Sequence, residues 1–160
     1  MSQSRPVPAV SFQTARSGAS TNANELGMRP MQERAYTKRG EQYLLIKSPP
    51  ASGKSRALMF IALDKLYNQG LRQAIIVVPE KSIGNSFRST NLTDHGFFAD
   101  WTVSPQNNLC EMLGGEGGKI NAFIRFMDSD DEIIVCTHST LRHAFDRLMN
   151  EGRGISAFHD

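Results

Sequence analysis

Three short apolar runs stand out along the chain: residues 43–46 (Tyr43-Leu44-Leu45-Ile46), 74–78 (Ala74-Ile75-Ile76-Val77-Val78) and 133–136 (Ile133-Ile134-Val135-Cys136). Each is largely aliphatic and lacks polar alternation, the pattern of strands buried on both faces of a parallel sheet. The first two begin about 31 residues apart, the length of one βαβ unit. Between them Leu58, Ile61, Ala62 and Leu66 recur at helical spacing, and Met59, Phe60 and Leu63 broaden the stripe. Gly70 stands where a left-handed helix terminator belongs. The expected order is therefore strand, loop, helix over 54–69, strand. Further helices are predicted over 30–39, opened by Pro30, and over 81–90, 119–127 and 139–150. Residues 107–118 contain Gly114-Gly115 and Gly117-Gly118 without a strand before them, so they are expected to form a mobile loop rather than a phosphate cradle.

Residues 1–25 have a different texture. They are rich in Ser, Ala, Asn, Gln and Pro, and Met1, Val7, Val10 and Phe12 are too few to offset the entropy of ordering the segment. They read as a flexible leader, with residues 26–160 forming the folded part. Arg5, Arg16 and the lack of acids before Glu25 also fit an organellar transit peptide loosely.

Composition changes this picture little. The 160 residues are 39% hydrophobic with a net charge of +2, enough for one core and no advertisement of a partner. Two cysteines, Cys110 and Cys136, make no disulfide framework and suit a reducing compartment. No apolar stretch is long enough to span a membrane, so a cytoplasmic, membrane-free protein is expected. His95, His138, His143, His159 and the cysteines lack metal-ligand spacing, which argues against zinc. Trp101 and Phe97-Phe98 read as core or loop anchors.

The chemistry lies in Ser48-Pro49-Pro50-Ala51-Ser52-Gly53-Lys54-Ser55, between the first run and the long helix. A loop placed there turns successive N–H groups inward around phosphates, and the helix start adds a favourable dipole. Lys54 would reach the β- and γ-phosphates of ATP as the catalytic cation, Ser55 would place its hydroxyl on Mg2+, and Gly53 would let the backbone approach closely. Ser48, Pro49, Pro50, Ala51, Ser52 and Arg56 complete the ATP-binding set. Ser48 stands where the first glycine of G-x-x-x-x-G-K-[ST] is usual.

With these residues the chain resembles the first RecA-like lobe of superfamily-2 DEAD/DEAH-box helicases, closest to the restriction-enzyme-type subunits, which also open the loop with Ser/Ala-Pro. Arg29-Pro30-Met31-Gln32 resembles their Arg-Pro-x-Gln element, whose glutamine reads adenine. Val77-Val78-Pro79-Glu80-Lys81-Ser82 resembles motif Ia, and Val135-Cys136-Thr137-His138-Ser139-Thr140-Leu141 resembles the T-x-x-x-L motif. The resemblance covers about residues 26–160. It implies an α/β P-loop NTPase fold: a RecA-like three-layer sandwich with a mostly parallel sheet. It also implies ATP and Mg2+ as cofactors, with Arg29 and Gln32 at the nucleotide. Pro79, Glu80, Lys81, Ser82, Thr137, His138 and Thr140 would face DNA, or RNA in its place. The bland alternatives stay open: Arg29 and Gln32 as exposed helix residues, and Lys81, Ser82, Thr137 and His138 as caps and solvated groups.

Hydrolysis in that family needs an acidic motif at the carboxyl end of a further strand. Asp130-Asp131-Glu132 precedes the run 133–136, at the wrong end of the sheet. The acidic strand is expected just beyond Asn150, followed by a second RecA-like lobe carrying an arginine finger. The chain is thus expected to be an incomplete lobe, the leading portion of an ATP-dependent helicase or translocase, with weak nucleotide binding and little turnover alone. Two other classes remain: a different P-loop NTPase or kinase that uses Glu80 as its acid, and a non-catalytic remnant that binds a partner through its sheet edge and leader.

Overall fold

The computed structural model describes residues 23–158. The expected leader, 1–25, lies almost wholly outside these residues. Pro30–Tyr36 forms α1, Lys54–Asn68 forms α2, Ala74–Val78 forms β1 and Lys81–Gly84 forms α3. Glu116–Met127 then forms α4, Ile133–Thr137 forms β2 and His138–Asn150 forms α5, with short 3-10 turns between and after them. The strands pair in parallel from Ala74↔Ile133 to Val78↔Thr137, so both end at the same level.

Alternation along these strands divides the core. Val78, Ile133 and Val135 pack with Met59, Phe60, Leu63 and Leu66 of α2 and with Phe87, Phe97 and Trp101 from the connecting loops. Ile134 and Cys136, with Ile75 and Val77 beside them, pack with Ala122, Phe123 and Phe126 of α4 and Ala144 of α5. Successive strand residues point to opposite faces, so helices cover the sheet on both sides. Trp101 is wholly buried and donates from Nε1 to the Phe87 carbonyl at 2.9 Å, which satisfies its one polar atom. Phe97 is buried against Phe60, whereas its neighbour Phe98 is half exposed. Burial pushes the Cys136 thiol up to about 12, so it serves as core rather than as a nucleophile.

The structure corrects several expectations. Residues 43–46 form no strand: Tyr43 and Leu45 are almost fully exposed, and the sheet holds β1 and β2 alone among the described residues. A strand buried on two faces needs hydrogen-bonding neighbours and helix cover, and no described segment supplies a neighbour here. In α2 the inward face is Ala57, Phe60, Ile61 and Asp64 flanked by Met59, Leu63 and Leu66, and Leu58 is exposed. The helix predicted over 30–39 stops at Tyr36, and that over 81–90 breaks at Gly84 into a 3-10 turn. The Gly84 Cα lies so close to Cys110 that a β-carbon there would meet it at 2.5 Å. The glycine-rich stretch is no continuous loop. Leu109 is buried and donates to the Val135 carbonyl at 2.9 Å, and α4 begins at Glu116 with Gly117 and Gly118 inside its first turn.

Candidate functional site

The orientation of α2 places the site. Its last turn reaches the amino end of β2, where Tyr67 Oη donates to Glu132 Oε2 at 3.2 Å. Fifteen helical residues span roughly 22 Å, so the first turn lies towards the carboxyl ends of the strands. That is where ligands bind in open parallel sheets. Asp130, Asp131 and Glu132 stay at the opposite end. There Asp130 pairs with Arg72, and Asp131 accepts hydrogen bonds from Gln106 and Asn107.

The loop before α2 is closed on itself. Ala51 has φ +58° and Gly53 φ +91°, two left-handed residues that curl the backbone within three positions. Ser48 and Ser52 hydroxyls meet at 2.7 Å across the curl. Lys54 folds back into it, its ammonium donating to the carbonyls of Ser48 (2.9 Å) and Pro49 (2.7 Å). The N–H groups of Lys54, Ser55 and Arg56 find no acceptor among the described residues, as helix geometry requires of a first turn without a side-chain cap. They remain available to an anion.

Gln32 joins α1 to this loop. It is 2% exposed; its Oε1 accepts from the Arg29 N–H at 2.8 Å and its Nε2 donates to the Gly53 carbonyl at 3.0 Å. Gln32 is therefore a buried fastener, not an exposed helix residue. Arg29 is exposed at the same edge. A β-carbon at Gly53 would sit 2.5 Å from Gln32 Nε2 on a backbone that already disfavours L-residues. Gly53→Ala is expected to cost about 1–3 kcal/mol of stability, read as a lowered denaturant midpoint; an unchanged midpoint would mean the loop is not held this way.

A cleft of about 540 Å³ opens over the loop. Arg29, Gln32, Ala51, Gly53, Lys54, Ser55 and Arg56 line it, together with Met59, Ser86 and Thr90. Three cations and no carboxylate face it. Its polar floor and positive walls suit a polyphosphate. Ser86 and Thr90 carried no signal in the sequence; they arrive because the segment after β1 folds back over α2. Ser48, Pro49, Pro50 and Ser52 form the loop behind the lining rather than the cleft wall.

The second group of expected residues gathers at the carboxyl ends of the strands. Pro79, Glu80, Lys81 and Ser82 follow β1 and are exposed. The Glu80 carboxylate accepts from the Ser82 hydroxyl and lies outside the cleft lining. After β2, Thr137 caps α5: its Oγ1 accepts from the Thr140 N–H at 3.3 Å. Thr140 is buried and donates from Oγ1 to Glu116 Oε1 at 2.8 Å, and His138 is exposed. Thr140 is thus an internal tie between α5 and α4, with Thr137 and His138 left at the surface.

Among curated proteins, the chain is 60% identical over 131 residues to "Putative ATP-dependent helicase YeeB" of Bacillus subtilis (strain 168). The match covers 82% of this chain and 22% of that protein, so the chain spans about a fifth of the length of this relative. It is a homologue of that segment. No protein-family model matches the chain, and no solved structure matches it significantly. No helix among the described residues is long and apolar enough to cross a membrane.

Proposed function

We propose that this chain is the ATP-binding part of the first RecA-like lobe of an ATP-dependent DNA helicase or translocase of the DEAD/DEAH-box, restriction-enzyme type. The observation that carries the reading is the acid-free cationic cleft at the start of α2, in a segment homologous to part of a protein named as an ATP-dependent helicase. The sheet covered by helices on both faces is compatible with the three-layer arrangement of such lobes.

In this reading the β- and γ-phosphates sit against the free N–H groups of Lys54, Ser55 and Arg56, with the Lys54 ammonium moving from the loop carbonyls onto phosphate oxygen. Arg29 and Gln32 border the base, and the Gln32 amide keeps one N–H and one lone pair beyond its two backbone bonds. The Ser55 hydroxyl fits one oxygen position on Mg2+. No carboxylate lines the cleft, so this part of the protein would hold the metal through the phosphates and Ser55 alone. Bound Mg2+ would screen phosphate charge. Turnover therefore depends on acidic residues from elsewhere in the longer protein, and on the second lobe.

Nucleic acid would cross the carboxyl ends of the strands, against Pro79–Ser82 and Thr137–His138. Contacts there to phosphate rather than to base edges make movement indifferent to sequence. Titration calorimetry of the 160-residue chain with Mg-ATP should give a saturable heat that ADP competes away, with negligible hydrolysis. In the full-length protein, single-stranded DNA should raise ATP hydrolysis severalfold. An ATPase indifferent to DNA and RNA would remove the helicase reading and leave only nucleotide binding.

A further inference from the structure

Three segments of the chain wall the cleft over the 48–55 loop, and the triphosphate reading uses only two of them. The first turn of α2 offers Lys54, Ser55 and Arg56, and the start of α1 offers Arg29 and Gln32. The third wall is Ser86 and Thr90 with Met59, which stands about 6 Å further along α2 than Ser55. It carries no charge. Packing and hydrogen bonds hold this wall in place. Phe87, between Ser86 and Thr90 in sequence, is buried with Met59 and Trp101, and Trp101 Nε1 donates to its carbonyl at 2.9 Å. Thr90 and Trp101 exchange backbone hydrogen bonds, at 2.8 Å from the Thr90 N–H and 3.1 Å from the Trp101 N–H. The Ser89 hydroxyl accepts from the Val103 N–H at 3.0 Å. Residues 86–90 are therefore a preformed rim that loses little freedom when a ligand arrives.

The hydrogen-bonding capacity left on that rim is specific. The Thr90 N–H and C=O are engaged by Trp101, and its hydroxyl donates to the Arg88 carbonyl at 2.9 Å, so Thr90 offers a ligand acceptor lone pairs alone. Ser86 is exposed and its hydroxyl has no partner among the described residues, so it can give or take a proton. An acceptor without a proton repels phosphate oxygen, and a neutral wall cannot compete for it with three cations. A base needs a flat surface to lie on. Phe87 and Trp101 turn their rings into the core, whereas Arg29 brings a planar guanidinium to the cleft. With the phosphates on α2 and the base at Arg29 and Gln32, the sugar is what remains for Ser86 and Thr90. One of its neighbouring hydroxyls can donate to Thr90, and the other can exchange a hydrogen bond with Ser86.

We propose that Ser86 and Thr90 bind the 2′- and 3′-hydroxyls of the nucleotide sugar and make the cleft select ribonucleoside over deoxyribonucleoside triphosphates. This rests on the reading of the cleft as a triphosphate site and adds the groups that recognise the sugar. The test is titration calorimetry of the 160-residue chain with the magnesium complexes of ATP, 2′-deoxy-ATP, 3′-deoxy-ATP and inorganic tripolyphosphate. Wild type should bind ATP about fivefold more tightly than either deoxy analogue, the worth of one neutral hydrogen bond open to water. Thr90→Val should weaken ATP by about that factor and leave one analogue at its wild-type affinity, the one lacking the hydroxyl that Thr90 holds. Ser86→Ala should do the same with the other analogue. Thr90→Ser, which keeps the hydroxyl, should keep the preference.

Equal wild-type affinity for ATP and both analogues overturns the proposal and leaves the triphosphate site standing. So does a Thr90→Val chain that loses ATP and both analogues in equal measure, which would make Thr90 a wall without recognition. If Thr90→Val does not fold, Ser86→Ala decides, because Ser86 is exposed and its side chain is bonded to nothing among the described residues. A loss that spares one analogue then supports the site, and no change removes it. A wild-type chain that binds neither ATP nor tripolyphosphate removes the triphosphate reading itself, and the proposal with it.

Discussion

Lys54→Ala is expected to raise the Kd for Mg-ATP at least about 100-fold, with little change in the melting temperature. The ammonium spans the Ser48 and Pro49 carbonyls at 2.9 and 2.7 Å, so it is already inside the curl where a phosphate chain would lie. Moving onto phosphate exchanges two neutral acceptors for charged ones. Hydrogen bonds to charged groups are each worth about 1.5–3 kcal/mol, and two of them correspond to roughly two to four decades in affinity. Water replaces the ammonium at the loop carbonyls, because Pro49 is exposed, and the fold therefore loses little. Calorimetry with Mg-ATP and a thermal scan on the same sample separate the two effects. An unaltered Kd would show that the loop does not bind triphosphate through Lys54, and a large drop in melting temperature would make the lysine a structural clamp instead.

The largest effect on stability is expected at Asp64, on the far half of α2. Its carboxylate is nearly buried and accepts from Tyr36 Oη at 2.9 Å, Asn68 Nδ2 at 2.8 Å and Gln69 Nε2 at 2.8 Å, with Arg39 Nε at 3.1 Å. Burial alone would raise its pKa. The bonds from Gln69, Asn68 and Tyr36 and the charge of Arg39 outweigh it and hold the carboxyl below the usual range. Asp64→Ala removes the acceptor shared by four donors, two of them on α1 and its C-terminal extension. A loss of about 3 kcal/mol follows, on the order of 10 °C in melting temperature.

The pH dependence carries the sign. A carboxyl with a depressed native pKa contributes stability above its unfolded value, near 3.9, and loses it as pH falls through the lower native value. The gap between wild type and Asp64→Ala should therefore be constant above about pH 5 and close below about pH 4. At the alkaline end Tyr36 is pushed up to about 12, by burial first and then by its bond to Asp64. Its contribution is full below about pH 10 and disappears as pH rises through about 12. A stability gap that persisted unchanged at pH 2 would remove Asp64 from the account of α1–α2 packing.

How far the chain could be read in advance depended on the range of the interaction. The spacing of apolar residues over 54–69 marked α2, and the unbroken aliphatic runs 74–78 and 133–136 marked β1 and β2, because backbone periodicity is a local property. The same signal misled at Tyr43–Ile46. An apolar run states that a segment can be buried on both faces, whereas forming a strand also needs neighbours for its N–H and C=O groups, and the described residues provide none. The glycines of 114–118 misled in the other direction. The first turn of a helix tolerates glycine, and the Glu116–Thr140 bond that anchors α4 joins residues 24 positions apart.

By itself the sequence determined the loop between 48 and 55, the helix behind it and the lysine aimed at its centre, since all three follow from neighbouring residues and backbone sterics. Tertiary structure alone decided that Gln32 locks onto Gly53, that Ser86 and Thr90 wall the cleft, and that Thr140 of α5 ties onto Glu116 of α4. Those contacts join segments far apart in the chain, and their formation depends on which faces of α1, α2 and α4 the core claims, a property of packing that no local pattern encodes.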